Sequence, residues 1–436
     1  MGSFDTRTQK MASQDSAIRY LLSSDVLPLL AHGIQCYSLP NYDATNCWES
    51  TVVDSDEKYP FLTKTRLLYV LSGISASALV PYLALWLSHD GLSSPQIGVV
   101  FALSTGVGIL AQPIWGMLMD HFPSSHYPLF LVMAVPGILA MGFNAQGFLK
   151  LIGMAIIFNV FMVSRSSLAD AYTIAAVSKA KIHYGAIRLF GSLGSAAGAF
   201  FGALYIAHVT IKSLWIPFML LSILASLLVI KLPTTPPTRS TGSFWMALRE
   251  AVTNPRFLIF LVAGFLVQQT LSAYDGFFSL AFHDIGGAFR DTGWALALGS
   301  LSNVPAMLWA SRLLHRHPPG KVMLLSAGTY VVRWTLMALF PIPWVYVVIQ
   351  LLHGLSFGLF WISSVSYVAQ HFPPPLRATG QSLYSMVTIG MATISGNLLS
   401  GIALERGGPV LLYTAAAVSS AGGLVVLLTL NRKPVH

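Results

Sequence analysis

The chain has 436 residues, of which 54% are hydrophobic and 9% charged, with a formal net charge of +9. Soluble domains carry about 25% charged residues, so this sequence cannot clothe an ordinary water-facing surface, and lipid must be its main solvent. The basic surplus does not point to nucleic acid, because these residues sit in short connections between apolar runs and act there as orientation signals.

Residues 1–62 stand apart from the rest. They hold Asp5, Asp15, Asp25, Asp43, Glu49, Asp54, Asp56 and Glu57, too many acids for a transit peptide, and no long apolar stretch follows a basic one. A disordered cytosolic tail is the expectation. Its start, Met1-Gly2-Ser3-Phe4-Asp5-Thr6, fits the short N-myristoylation pattern. Cys36 and Cys47 both fall here, and two thiols make no metal framework. No metal and no cofactor are expected.

Crossing about 30 Å of hydrocarbon takes roughly 20 apolar residues. Twelve segments qualify: 66–88, 95–119, 127–146, 148–176, 186–209, 212–231, 257–281, 291–311, 320–340, 343–370, 376–402 and 408–430. The longest internal connection, residues 232–256, opens on PTTPPTRSTG and continues as SFWMALREAV, which suits a short interfacial amphipathic helix. Six spans precede it and six follow. The expected organisation is therefore two six-helix bundles, 63–231 and 257–431, with 432–436 as a C-terminal tail. Fifteen Lys and Arg residues flank the spans on the linker side, from Lys58 to Lys433. Only Lys150, Lys212, Arg290 and Arg406 lie opposite. That bias puts both termini and the linker in the cytosol.

Charged side chains at mid-bilayer cost about 2.5–3.5 kcal/mol each on insertion scales, so they face cavities or one another. The ionisable residues within spans are Arg165, Asp170, Arg188, Asp275, Arg333 and His353. Asp170 and Arg188 lie on antiparallel neighbours joined by a short turn, so they can return to similar depth and pair; Arg165 could share the carboxylate. Such a pair either locks two helices or grips polar solute groups through parallel hydrogen bonds. Asp275 stands in QQTLSAYDGFF beside Gln268, Gln269 and Tyr274, with Arg333 and His353 as its cationic partners at membrane depth. Asp275 and His353 are candidates for carrying a proton. Gly194, Gly198 and Gly202 share one helix face and predict close helix packing. No nucleotide loop, nucleophile elbow or metal-ligand spacing occurs, so transport would draw on solute or ion gradients.

The stretch VPYLALWLSHDGLSSPQIGVV, the loop Gly116-Met-Leu-Met-Asp120, YGAIRLFGSLG at 184–194, KVMLLSAGTYVVRW and LLHGLSFG together resemble the lactose-permease-like branch of the major facilitator superfamily, which includes nucleoside–proton symporters. The resemblance covers about residues 65–430. It implies the all-α fold of twelve transmembrane helices in two bundles, with Gly116 and Asp120 as the conformational loop motif. It also implies that Asp170 and Arg188 bind substrate, and that Arg333 and His353 belong to a proton-coupling cluster. Ser356 stands where the branch has its proton-accepting glutamate, and Asn303 where it often has an acid, which moves the proton role to Asp170 or Asp275.

The expectation is a secondary active transporter, not an enzyme, working by alternating access and coupled to protons. Asp170, Arg188, Arg165, Gln268 and Tyr274 would bind substrate, and Asp275, Arg333 and His353 would couple the proton. The solute would be a sugar, nucleoside or other small organic molecule. A monomer in the lipid bilayer of a plasma or organelle membrane is expected, without nucleic acid. A facilitated-diffusion uniporter, a non-transporting receptor on the same fold and an intramembrane enzyme are the alternatives.

Overall fold

In the computed structural model, residues 61–121, 126–180, 184–233, 253–372 and 377–430 are described, together with Arg249. The tail up to residue 60, Cys36, Cys47, the amphipathic helix of the linker and the C-terminal tail lie outside these residues. So does the side chain of Asp120. Every described element is helical.

The helices, in chain order, are α1 (Phe61–His89), α2 (Ser94–His121), α3 (His126–Asn144), α4 (Phe148–Met162 continued as Ser164–Ala180), α5 (Tyr184–His208) and α6 (Ile211–Ile230). The second half has α7 (Pro255–Asp275 continued as Phe278–Asp284), α8 (Phe289–Arg316), α9 (Pro319–Leu339) and α10 (Pro343–His371). Its last two helices are α11 (377–406) and α12 (409–430). Among the described residues, ten helices are both long and apolar enough to span a bilayer on composition. One of these, Thr379–Leu430, is a 52-residue run. It breaks at Gly407 and Gly408, where Gly408 has φ 60° and ψ −161°, a conformation that L side chains avoid. It is therefore two spans. The remaining helix, α8, has 28 residues and reaches about 42 Å at 1.5 Å per residue. Its Arg290, Asp291, Arg312 and Arg316 dilute its hydropathy without shortening it. The described residues thus hold twelve spans.

Small residues decide how these helices pack. Along α5, a Cβ added at Gly194 would lie 2.3 Å from the Val70 carbonyl oxygen, and at Gly198 2.2 Å from that of Ile74. One at Gly202 would lie 2.7 Å from the Ala78 carbonyl oxygen. The predicted glycine face is thus the seam between α5 and α1, and Gly73 completes it from the other side, its Cβ position 2.5 Å from the Gly191 oxygen. Tyr82 closes the same seam, its hydroxyl donating to the Ala199 carbonyl at 2.5 Å.

The two halves meet chiefly at the end opposite the linker. There α2 crosses α11 with backbone nearly touching backbone. A Cβ at Gly98 would sit 2.6 Å from the Asn397 oxygen, and one at Gly401 2.4 Å from the Ser94 oxygen. The Ser94 amide, at the start of α2, donates to the Glu405 carboxylate at 3.2 Å, placing a negative charge at a helix N-terminus. On the other flank Phe200 of α5 packs on Trp294 of α8, ring centroids 4.6 Å apart.

The first and fourth helices of each half are interrupted. In α1 a 3₁₀ turn runs Val80–Tyr82, around Pro81, which lacks the donor an α-helix needs. In α4 the break is at Val163. In α7 it spans Gln269–Leu271 and again Gly276–Phe277, and in α10 a 3₁₀ turn and the π-turn Gly354–Gly358 follow one another. Glycine permits the last of these: a Cβ at Gly354 would lie 2.0 Å from the Ser302 oxygen. Breaks of this kind free backbone groups and re-aim side chains where helices line a cavity.

Gly198→Leu should lower the stability of the purified protein by about 1–3 kcal/mol through overpacking of the α1–α5 seam. Gly153→Ala, where an added Cβ meets nothing within 4 Å, should leave the thermal midpoint unchanged or slightly raised. A thermal melt in detergent reads both.

Candidate functional site

Asp170 and Arg188 are brought together. Arg188 Nη1 lies 3.7 Å from Asp170 Oδ1, and the two side chains are 49% and 25% exposed. Tyr69 of α1 joins them: its hydroxyl donates to the same Asp170 oxygen at 2.6 Å, and its ring lies 5.9 Å from the guanidinium. An ion pair this exposed contributes about 0–1 kcal/mol to stability. It therefore holds the fold weakly while leaving donors free to meet a polar solute.

The expectation that Arg165 shares the Asp170 carboxylate is not met. Five residues along a helix turn the chain by about 140° around its axis, so the two side chains leave α4 on different faces. Arg165 is buried and donates to Ser75 Oγ (2.6 Å), Ser222 Oγ (3.4 Å) and Met133 Sδ (3.1 Å), with its guanidinium 5.9 Å from the Phe218 ring. It ties α1, α3 and α6 to α4 inside the first bundle.

In the second half Arg333, fully buried, is the centre of a network. Its guanidinium bonds to Gln350 Oε1, meets His353 Nδ1 at 2.9 Å and donates to Ser356 Oγ at 3.4 Å. The rings of Tyr274 and Trp334 each lie 4.5 Å from it. Tyr274 also packs on His353, with ring centroids 4.6 Å apart. Gln268 is buried and accepts from the Tyr330 hydroxyl at 3.3 Å. Thus Tyr274 and His353 gather around Arg333 by direct contact, while Gln268 turns toward α9. Ser356, where the resembled branch has an acid, is one of the groups that Arg333 meets. Gly116 lies within α2, with nothing within 4 Å of an added Cβ.

Asp275 has a different situation. It ends the short helical segment Ser272–Asp275, just before the Gly276–Phe277 break, and lines a cavity with Asn159, Asn397, Ser104 and Thr105. Gly276 makes room for this meeting, since a Cβ there would stand 3.3 Å from Asn397 Oδ1. Three of these groups escaped attention in the sequence. Tyr69 looks like an apolar aromatic within a span, whereas Asn159 and Asn397 are amides within spans, and an amide in hydrocarbon is itself a signal of a polar interior.

Helices α1–α12, the interrupted members among them and polar clusters held between helices define a multi-pass membrane transporter. Residues 62–415 match the MFS_1 like family, and the chain belongs to that family of major facilitator transporters; it is a solute carrier, not an enzyme. It is similar to the maltose permease of Geobacillus stearothermophilus, 27% identical over 369 residues that cover 84% of this chain and 94% of that protein. The putative nucleoside transporter YegT of Escherichia coli is 27% identical over 345 residues, 74% of this chain and 79% of that one. Among solved structures, nucleoside transporter NupG superposes with a TM-score of 0.72 at 18% identity, covering 86% of this chain and 100% of that chain. A bacterial homologue of the lysosomal transporter Spinster, in an inward-facing conformation, gives 0.61 at 15% identity, covering 85% and 95%. These two likenesses concern the fold.

Arg165→Ala should cost about 1–3 kcal/mol of stability by orphaning buried hydroxyls. Arg188→Ala should cost no more than about 1 kcal/mol. Equal melting shifts for the two variants would contradict the separation of a structural from an exposed arginine.

Proposed function

We propose that this protein is a secondary active transporter that carries a small polar solute by alternating access, in symport with a proton. The observation that carries the reading is the half-exposed Tyr69–Asp170–Arg188 cluster within the spans of the first bundle, beside a cavity between the halves that is lined by Asp275. Two six-helix units, 63–231 and 257–431, rock about the solute, with both termini and the 232–256 linker in the cytosol. The meeting of the halves at the end away from the linker supports a state open toward the linker side.

Arg188 and Asp170 together offer donors and acceptors in a neutral pair, which suits hydroxyl-rich solutes. Relatives named as a maltose permease and a putative nucleoside transporter support a sugar or nucleoside as cargo. Gln268 and Tyr274 contribute through the packing that sets the Arg333 network rather than by touching solute, and Arg165 by fixing α4 within its bundle. Proton coupling falls to Asp275. With Ser356 beside Arg333, no carboxylate stands at that position to take the proton, whereas Asp275 is an acid lining a cavity at a helix break. Arg333 and His353 would then sense its charge through Tyr274. Gly116 and Asp120, in the last turns of α2, would act as the conformational motif during the change of state.

Reconstituted protein should take up a transported sugar or nucleoside, and uptake should collapse when the proton gradient is dissipated. Arg188→Ala should reduce the uptake rate by about tenfold or more, the loss of one charge-assisted bidentate contact, and Asp275→Asn should abolish accumulation while permitting exchange. Uptake indifferent to the gradient would replace symport by facilitated diffusion; solute binding without flux would make the protein a receptor.

A further inference from the structure

The cavity lined by Asp275 lies between α1–α4 of the first half and α7 and α11 of the second, and has a volume of about 180 Å³. That is comparable to engineered protein cavities that admit a single benzene ring. Phe101, Phe143 and Phe158 supply aromatic walls, Asn159 and Asn397 bring one amide from each half, and Asp275 is the one ionisable side chain among its lining residues. Eleven residues of α4 separate Asn159 from Asp170, about 16 Å along the helix, so this cavity and the Asp170–Arg188 pair are different stations.

Their charge balance differs. Asp170 has Arg188 and Tyr69, so that station is neutral and asks no charge of its solute. Among the described residues no hydrogen bond or ion pair reaches the Asp275 carboxylate. Arg333 is near enough to act on it electrostatically. It is fully buried, however, against the Tyr274 ring, and it does not line the cavity. The wall that a solute would touch therefore carries a carboxylate, aromatic faces and two amides, and no cation.

We propose that this cavity is a second solute site, which takes an organic ammonium ion with an aromatic or alkyl body. The ammonium binds Asp275 through charge-assisted hydrogen bonds, the body packs between Phe101, Phe143 and Phe158, whose faces favour a cation, and Asn159 and Asn397 orient its polar edge. Asp275 is exposed toward this cavity, no cation stands on the cavity wall, and the incoming ammonium supplies one. An ammonium ion and a proton are alternative occupants of the same oxygens, so a cation-loaded cavity needs no proton at Asp275. The site itself requires only binding; movement of its ligand rests on the carrier reading above.

The test is calorimetric titration of the full-length purified protein with phenethylammonium and with 2-phenylethanol, which keeps the ring and lacks the charge. Phenethylammonium should bind about tenfold or more tightly than the alcohol, the strength of a hydrogen bond to a charged group. Asp275→Asn should remove that preference and Asp275→Glu should retain most of it. Equal affinity for the two compounds in the unaltered protein, or an unchanged preference in Asp275→Asn, overturns the assignment, and the first comparison needs no variant to fold. If the preference is missing while gradient-driven uptake of a polar solute persists, the cation site falls and the carrier reading stands. If the preference is present and no solute crosses the membrane, the cation site stands and the carrier reading falls.

Discussion

Hydrocarbon gives a charged side chain nothing to bond to, and the arrangement of this protein follows from how each intramembrane charge is given partners. Arg165 is supplied with two hydroxyls and a sulfur from three neighbouring helices. Arg333 is supplied with an amide, an imidazole, a hydroxyl and two aromatic faces. Each is sealed inside its own bundle, where its partners hold helices together. Asp170 and Arg188 instead neutralise each other at an accessible position, and Asp275 lines an open cavity. The charges thus fall into two classes, those sealed within a bundle and those left accessible.

Backbone breaks serve the same division. Long uninterrupted helices would present their side chains at fixed angles. The turns at Val80–Tyr82, Val163, Gln269–Leu271 and Gly354–Gly358 re-aim them at membrane depth. In α7 the second break falls directly after Asp275, and in α10 the π-turn follows directly on His353. Small residues then let helices approach closely enough to make use of that aim: Gly276 admits Asn397 beside Asp275, and Gly354 admits Ser302. Glycine seams hold α1 against α5 within a bundle and α2 against α11 between bundles.

Much of this was legible in the residues. Apolar run length marked twelve spans to within a few residues, although α1 begins at Phe61, five positions before the expected 66, because Lys64 and Arg66 extend a helix that lipid alone would not require. The glycine spacing in α5 correctly implied a packing face. The Asp170–Arg188 pairing followed from two antiparallel helices and a short turn. Arg165 departs from expectation, because nearness along the chain is not nearness in space; the helical rotation between positions 165 and 170 sends them apart. Tyr69 also escaped, since a tyrosine in a span reads as apolar surface until a carboxylate from another helix is found at its hydroxyl.

By itself, then, the sequence determined membrane residence, span number, the seam-forming glycines and which charges must be sheltered, because each depends on local composition or on periodicity within one helix. The tertiary structure alone decided who shelters whom: that Arg165 faces α1, α3 and α6, that Arg333 rests against Tyr274 and Trp334, and that Asp275 meets Asn159 and Asn397 across a cavity. These contacts join residues far apart in the chain. They depend on helix rotation, tilt and the positions of breaks, which no single segment specifies until its neighbours are packed against it.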